Sequence, residues 1–275
     1  MTRLAATFER LHHEAECGVF PYLMVGYPSV SATLSLVPAL VEAGADAIEL
    51  GVPFSDPLAD GVVIQRAGFQ ALSAGVTLGT ALDVCGALRQ RLTTPLVLMS
   101  YYNLLLAYGL DRFAAAAEAA GADGVIVPDL PPEEATPLRE ACSAADLDLI
   151  MLVAPTSSGE RIERASAIAS GFLYCVSLTG VTGSRAQLTE SLPAFLQRVR
   201  RGTDLPLAVG FGISRRDHLT AIAPHAEAAI VGSALIELLE RTPPDEQLAA
   251  ASAFIAHLKA RATAEPIPAS SWRPS

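Results

Sequence analysis

The chain has 275 residues, 51% of them hydrophobic and 17% charged, enough apolar material for one large α/β domain or two ordinary ones. A formal charge of −10, with no basic cluster beyond pairs such as Arg200-Arg201, argues against a nucleic-acid partner, because phosphate neutralisation needs grouped Lys and Arg. No apolar run reaches the ~18 to 20 residues that cross a bilayer, and Glu9, Glu14 and Glu16 stand where a signal peptide would be apolar, so a cytoplasmic protein is expected.

In chain order, apolar segments bounded by turn signals read as strands: "GVFPYLMVG" (18–26), "ADAIELG" (45–51), "PLVLMS" (95–100), "DGVIVP" (123–128), "LDLIMLVAP" (147–155), "GFLYCVS" (171–177), "LPLAVGFG" (205–212) and "EAAIVGS" (227–233). Their near-continuous hydrophobicity suits parallel strands covered on both faces, and the Ala- and Leu-rich stretches between them, such as "DRFAAAAEAAGAD", carry helical periodicity. "VEAGADAIEL" (41–50) and "EAAGADGVIV" (118–127) repeat one pattern, a helix end, a Gly, Ala-Asp and a strand, with the Gly suited to a helix C′ position. Eight such units predict a (β/α)₈ TIM barrel spanning 1–261 as a single domain, followed by a Pro- and Ser-rich flexible tail at 262–275 that holds Trp272. A doubly wound sheet is the alternative, but "VGYPSVS" lacks its G-x-G-x-x-G.

Most strand segments start about 22 to 27 residues apart, but about 50 follow the second and about 34 the sixth. The βα loops 2 and 6 are therefore enlarged, at the end of a barrel where active sites lie. Loop 2 follows "AIEL", in which alternation sends Ile48 and Leu50 toward the covering helices and Glu49 into the barrel. With no Lys or Arg in any strand segment, a catalytic carboxylate is the stronger reading of Glu49 and a structural ion pair the weaker. Asp56 and Asp60, in "SDPLADG", read equally well as turn or helix-capping residues.

Loop 6, "LTGVTGSR", places Gly180 and Gly183 around Thr182 and reads as a backbone-donating lid. Strand seven ends in "GFG" with Phe211 and Gly212, and strand eight in Gly232 and Ser233 opening a helix, an arrangement that offers N–H groups to a phosphate. Tyr22, Tyr101 and Tyr174, near the ends of strands one, three and six, suggest an aromatic pocket. Cys17, Cys85, Cys142 and Cys175 are scattered without C-x-x-C, and the five His form no H-E-x-x-H, so neither disulfides nor a metal site is expected.

With these segments in place, "IELGVPFSDPLADGVVIQ" closely resembles the signature of the tryptophan synthase alpha subunit family, and "SYYN", "GVIVPDLPPEE", "GVTG", "GFGIS" and "VGSAL" follow in family order. The resemblance runs from about residue 18 to 240. It implies retro-aldol cleavage of indoleglycerol phosphate to indole and glyceraldehyde 3-phosphate, with Glu49 and Asp60 as the catalytic pair. Tyr22, Ile64, Tyr101, Tyr174 and Thr182 would then contact the substrate, and Gly183, Phe211, Gly212, Gly232 and Ser233 its phosphate. No cofactor is implied in this chain. A pyridoxal-phosphate-dependent beta subunit would receive the indole in an alpha2-beta2 heterotetramer, against Pro53, Phe54, Asp56, Pro57, Asn103 and Leu178, with "PDLPPEE" adding contacts. Tyr27 and Leu178 depart from the Asp and the basic residue common at those positions, in loops expected near the partner. Three rivals stand beside this reading: a stand-alone lyase releasing free indole, a catalytically silent activator of the beta subunit, and a sugar-phosphate isomerase, which leaves "SDPLADG" unexplained.

Overall fold

A computed structural model of the chain describes residues 2–176, 188–210 and 212–260. Each of the eight apolar segments forms a strand: β1 Gly18–Met24, β2 Ile48–Gly51, β3 Leu96–Met99, β4 Gly124–Ile126, β5 Asp148–Val153, β6 Leu173–Val176, β7 Leu207–Gly210 and β8 Ala228–Val231. They pair in parallel, each with its neighbour in sequence, and β8 closes on β1, so the sheet is a complete barrel without an edge. The helices are α1 Arg3–Glu14, α2 Val30–Glu42, α3 Val62–Ser73, α4 Leu78–Arg89, α5 Tyr102–Tyr108, α6 Leu110–Ala119, α7 Thr136–Ala144, α8 Gly159–Ile168, α9 Leu188–Arg200, α10 Arg216–Ile222, α11 Ser233–Arg241 and α12 Gln247–Lys259.

The N-terminal end of the barrel is closed by α1. Thr2 caps this helix by accepting from the Ala5 N–H, and Leu4, Phe8 and Leu11 form its buried stripe at helical spacing. Phe8 packs at 5.6 Å on Phe20 of β1 and at 5.7 Å on Phe172 just before β6. One side chain thus bridges strands that are not neighbours, as a plug would.

The repeated "GAD" pattern has a structural purpose beyond ending helices. Gly44 and Gly121 follow α2 and α6 with φ of +105° and +76°, and each is followed by an Asp that enters the next strand. Asp46 donates its N–H to the Val19 carbonyl of β1 and accepts the Val19 N–H on its carboxylate at 2.8 Å. Asp123 does the same to β3, accepting the Leu96 N–H at 2.7 Å, and Glu227 to β7, accepting the Leu207 N–H at 2.6 Å. Each buried carboxylate also holds cations: Arg10 and Lys259 on Asp46, Arg3 and Arg89 on Asp123, Arg200 on Glu227. Removing one partner of a buried pair leaves uncompensated charge, at about 3 to 5 kcal/mol. Asp123→Ala is accordingly expected to lower the unfolding free energy by about that amount in a denaturant titration. A loss under about 1 kcal/mol would show that these clasps do not hold the barrel floor.

The long stretch after β2 divides between loop 52–61 and two helices, α3 and α4, where a minimal unit has one. Loop 6 lies mostly at 177–187, outside the described residues, as does the tail from 262 with Trp272. Among the described residues no single helix is long and apolar enough to cross a membrane.

Candidate active site

Glu49 sits in the middle of β2, level with Tyr22 on β1 and Val97 on β3. Its neighbours Ile48 and Leu50 are fully buried against the helices, so alternation leaves Glu49 facing the barrel interior, where it is only 3% exposed. Neither carboxylate oxygen has a hydrogen-bond partner among the described residues. Burial, and secondarily the nearby Asp60, push its carboxyl up to about 8. A protonated, unsatisfied acid at the upper rim of a barrel is costly to keep, and among the described residues no cation pairs with it, which weighs against the ion-pair reading.

Asp60 reaches the same cavity from loop 2. Its two sequence readings separate here: the N-cap of α3 is Gly61, no side chain caps that helix, and Asp60 instead lines the pocket. Burial raises its carboxyl to about 6, opposed by the adjacent Tyr101 hydroxyl, which favours the charged form. The loop around it is pinned. Gln65 donates to the Asp60 and Pro57 carbonyls at 3.0 and 3.3 Å, and the Ala59 N–H donates to the Tyr101 hydroxyl at 3.1 Å. Tyr101 stacks on Phe54 with ring centroids 4.9 Å apart. Tyr101 thus braces the loop that carries Asp60, with its hydroxyl beside the Asp60 carboxyl.

Tyr22 and Tyr174 do line the cavity, together with the expected Ile64. Their rings lie flat across glycines of the next strand in the same offset: Tyr22 is level with Glu49 and covers Gly51, and Tyr174 is level with Ala208 and covers Gly210. A Cβ at either glycine would overlap the phenol. The cavity, about 720 Å³ including its open mouth, is walled by Met99, Ile213 and Ile230 as well. Apolar walls around two carboxylates suit a flat, largely apolar ligand with a few polar atoms.

The other end of the cavity is built from backbone. Gly212 has φ of +81°, a conformation that favours glycine, and Gly232 precedes α11 without any side chain capping the helix. Gly212, Ser214, Gly232, Ser233 and Ala234 all line this end, and among the described residues no Lys or Arg does. Uncapped N–H groups at a helix start attract an anion through the helix dipole. Sequence reasoning found Gly212, Gly232 and Ser233 but missed Met99, Ser214, Ala234 and Glu237. The last lies one helical turn beyond Ser233, a spacing that points it toward the same opening. Phe211, Thr182, Gly183 and Leu178 lie outside the described residues.

Of the candidate partner-facing residues, Asp56 and Asn103 are exposed and Phe54 is half-buried against Tyr101. Pro53 and Pro57 are buried, because they shape loop 2 rather than project from it. Exposed apolar groups among the described residues here include Leu58, 94% exposed, Val62 at the start of α3 and Leu106 on α5. Tyr27, expected near a partner, is buried at 6% exposure.

The fold and cavity define a barrel enzyme equipped for acid–base chemistry, with a carboxyl pair at one end of its pocket and a helix start without a side-chain cap at the other. The family model of the tryptophan synthase alpha chain matches residues 8–264, and the chain belongs to that family, whose members are aldolase-type carbon–carbon lyases. It is 55% identical over 260 residues to the tryptophan synthase alpha chain of Roseiflexus castenholzii, covering 94% of this chain and all of that one. The Chloroflexus aurantiacus alpha chain is 53% identical, over 94% and 97%. Among solved structures, the alpha subunit of Legionella pneumophila superposes with a TM-score of 0.88 at 36% identity, over 96% of this chain and 98% of that one. A Mycobacterium tuberculosis tryptophan synthase chain, in a complex described as aminoacrylate-bound, gives 0.85 at 36% identity over 94% and 99%.

Proposed function

We propose that Glu49 and Asp60 carry out the family's reaction in this chain, the retro-aldol cleavage of indoleglycerol phosphate to indole and glyceraldehyde 3-phosphate. The observation that supports this most is the pair of carboxyls in one apolar cavity, Glu49 with no hydrogen-bond partner among the described residues and both raised by burial. Cleaving the bond from indole C3 to the side chain requires a proton on C3 and removal of a proton from the adjacent side-chain hydroxyl. Glu49, protonated at neutral pH, gives the first, and its carboxylate then takes the second. Asp60 accepts the indole N–H and stabilises the positive charge that develops on the ring. Tyr22, Ile64 and Tyr174 flank the indole, with Thr182 from loop 6. The Gly212, Gly232 and Ser233 end holds the phosphate, joined by Gly183 and Phe211, through backbone N–H groups rather than side-chain cations.

An alpha chain implies a beta-subunit partner. The finer picture we propose is an alpha2-beta2 heterotetramer in the cytoplasm, in which the beta subunit, holding pyridoxal phosphate, seats on the rim of loop 2, Asn103 and loop 6, where Leu58 and Leu106 supply apolar surface. This chain needs no cofactor of its own for the steps above. Purified protein incubated with indoleglycerol phosphate is expected to release indole slowly alone and faster with saturating beta subunit, as partner-ordered loops exclude water from the cavity. An unchanged rate on saturation would favour the stand-alone lyase, and no indole under either condition would sink the catalytic reading.

A further inference from the structure

β7 leads into α10 through a short turn, of which Gly212, Ile213 and Ser214 line the anion end of the cavity. Ser214 stands just ahead of the Arg215 N-cap, and no side chain caps α10 through that residue. The Ser214 N–H donates instead to Nδ1 of His218, at 3.3 Å, from the first turn of the helix. Accepting there requires Nδ1 to carry no proton, and the ring's other nitrogen lies 3.4 Å from the Arg215 guanidinium, itself paired with Asp217 at 3.3 Å. The ring's proton then sits on Nε2, where the Arg215 guanidinium, a donor only, cannot accept it, so the imidazole is tied through Nδ1, and that bond links the backbone of Ser214 to α10.

Resting on the phosphate reading above, we propose that His218 is a positioning residue for phosphate binding: its Nδ1 holds the 212–214 turn in the shape that faces the anion. The turn needs such a brace. It carries a glycine at φ of +81°, the residue with most conformational freedom to lose, and a wall made of backbone can recognise an anion only if it is set before the ligand arrives. His218 does not line the cavity and so acts only through the turn.

The test compares wild type, His218→Ala and His218→Asn, because the Asn carbonyl oxygen can replace Nδ1 as the acceptor. Binding of glycerol 3-phosphate and of indole, which has no phosphate, is measured by calorimetry, and steady-state kinetics with indoleglycerol phosphate follow. His218→Ala is expected to weaken glycerol 3-phosphate binding and raise KM by about 3- to 10-fold, the scale of one hydrogen bond, with kcat and indole affinity within about twofold of wild type. His218→Asn is expected to recover most of the loss. His218 is half-buried at the surface, so both variants should fold, which their thermal transitions will show. If wild type binds glycerol 3-phosphate and His218→Ala binds it equally well, the positioning role is overturned while the phosphate site stands. Equal weakening toward indole, or no rescue by Asn, also overturns it, since that marks a general structural role. If wild type fails to bind glycerol 3-phosphate at all, both the site and the role fall.

Discussion

Glu49→Gln is expected to lower kcat for indole formation by about 10² to 10⁴-fold while leaving substrate binding nearly intact. The amide matches the carboxyl in shape but cannot exchange the two protons the reaction moves. The pH dependence follows from the same environment. With Glu49 at about 8 and Asp60 at about 6, kcat/KM of the free enzyme should fall above about pH 8, where the acid is lost, and below about pH 6, where Asp60 is neutralised. In Glu49→Gln the alkaline limb should vanish along with most of the rate. Stability should move the other way. Glu49 is raised from 4.5, so the folded state holds that proton more tightly than the unfolded chain, and folding loses free energy as pH rises from about 4.5 through about 8. The neutral amide escapes that cost, so Glu49→Gln should gain on wild type in thermal stability at pH 9 and less at pH 5. A variant that keeps more than about a tenth of the wild-type rate would sink the acid–base assignment.

The barrel was legible in the sequence because fully covered parallel strands must be apolar on both faces, and that continuity marks each strand without any tertiary knowledge. Glu49 was legible for the complementary reason, since a lone acid within such a strand has few places to point. What the sequence hides is register and the direction of residues outside regular elements. Tyr101 stands two positions past the end of β3 as the N-cap of α5, where strand alternation no longer applies, and its ring stacks on Phe54 of loop 2. Asp46 and Asp123 were seen only as the tail of a repeated helix ending, because their purpose depends on which strand lies alongside. The stretch after β2 shows a third limit: its length signals an insertion, but only the periodicity of 78–89 could have shown that a second helix, α4, takes up part of it. Pro53 and Pro57, apolar and in a loop, looked like surface and proved to be buried framework.

Gly51→Ala is expected to cost about as much activity as displacing a substrate-positioning group by ~1 Å, on the order of 10²-fold in kcat/KM. Gly51 has an ordinary backbone, so the reason is space alone. An added Cβ would overlap the Tyr22 hydroxyl and lie 2.5 Å from its Cζ, and that hydroxyl already lies 3.9 Å from the Met24 sulfur. The ring must swing, and the space not already filled is the cavity beside Glu49. Overpacking of this kind also costs about 1 to 3 kcal/mol of stability, too little to unfold a barrel of this size. The cause can be isolated with the double variant Gly51→Ala/Tyr22→Leu, in which the shorter side chain no longer reaches the new methyl. Its kcat/KM should lie within about tenfold of Tyr22→Leu alone, so that the two substitutions are strongly non-additive. If the two losses simply multiply, or if Gly51→Ala retains wild-type kinetics, the glycine is not there to seat the ring, and the matching offset of Tyr174 over Gly210 would need another explanation.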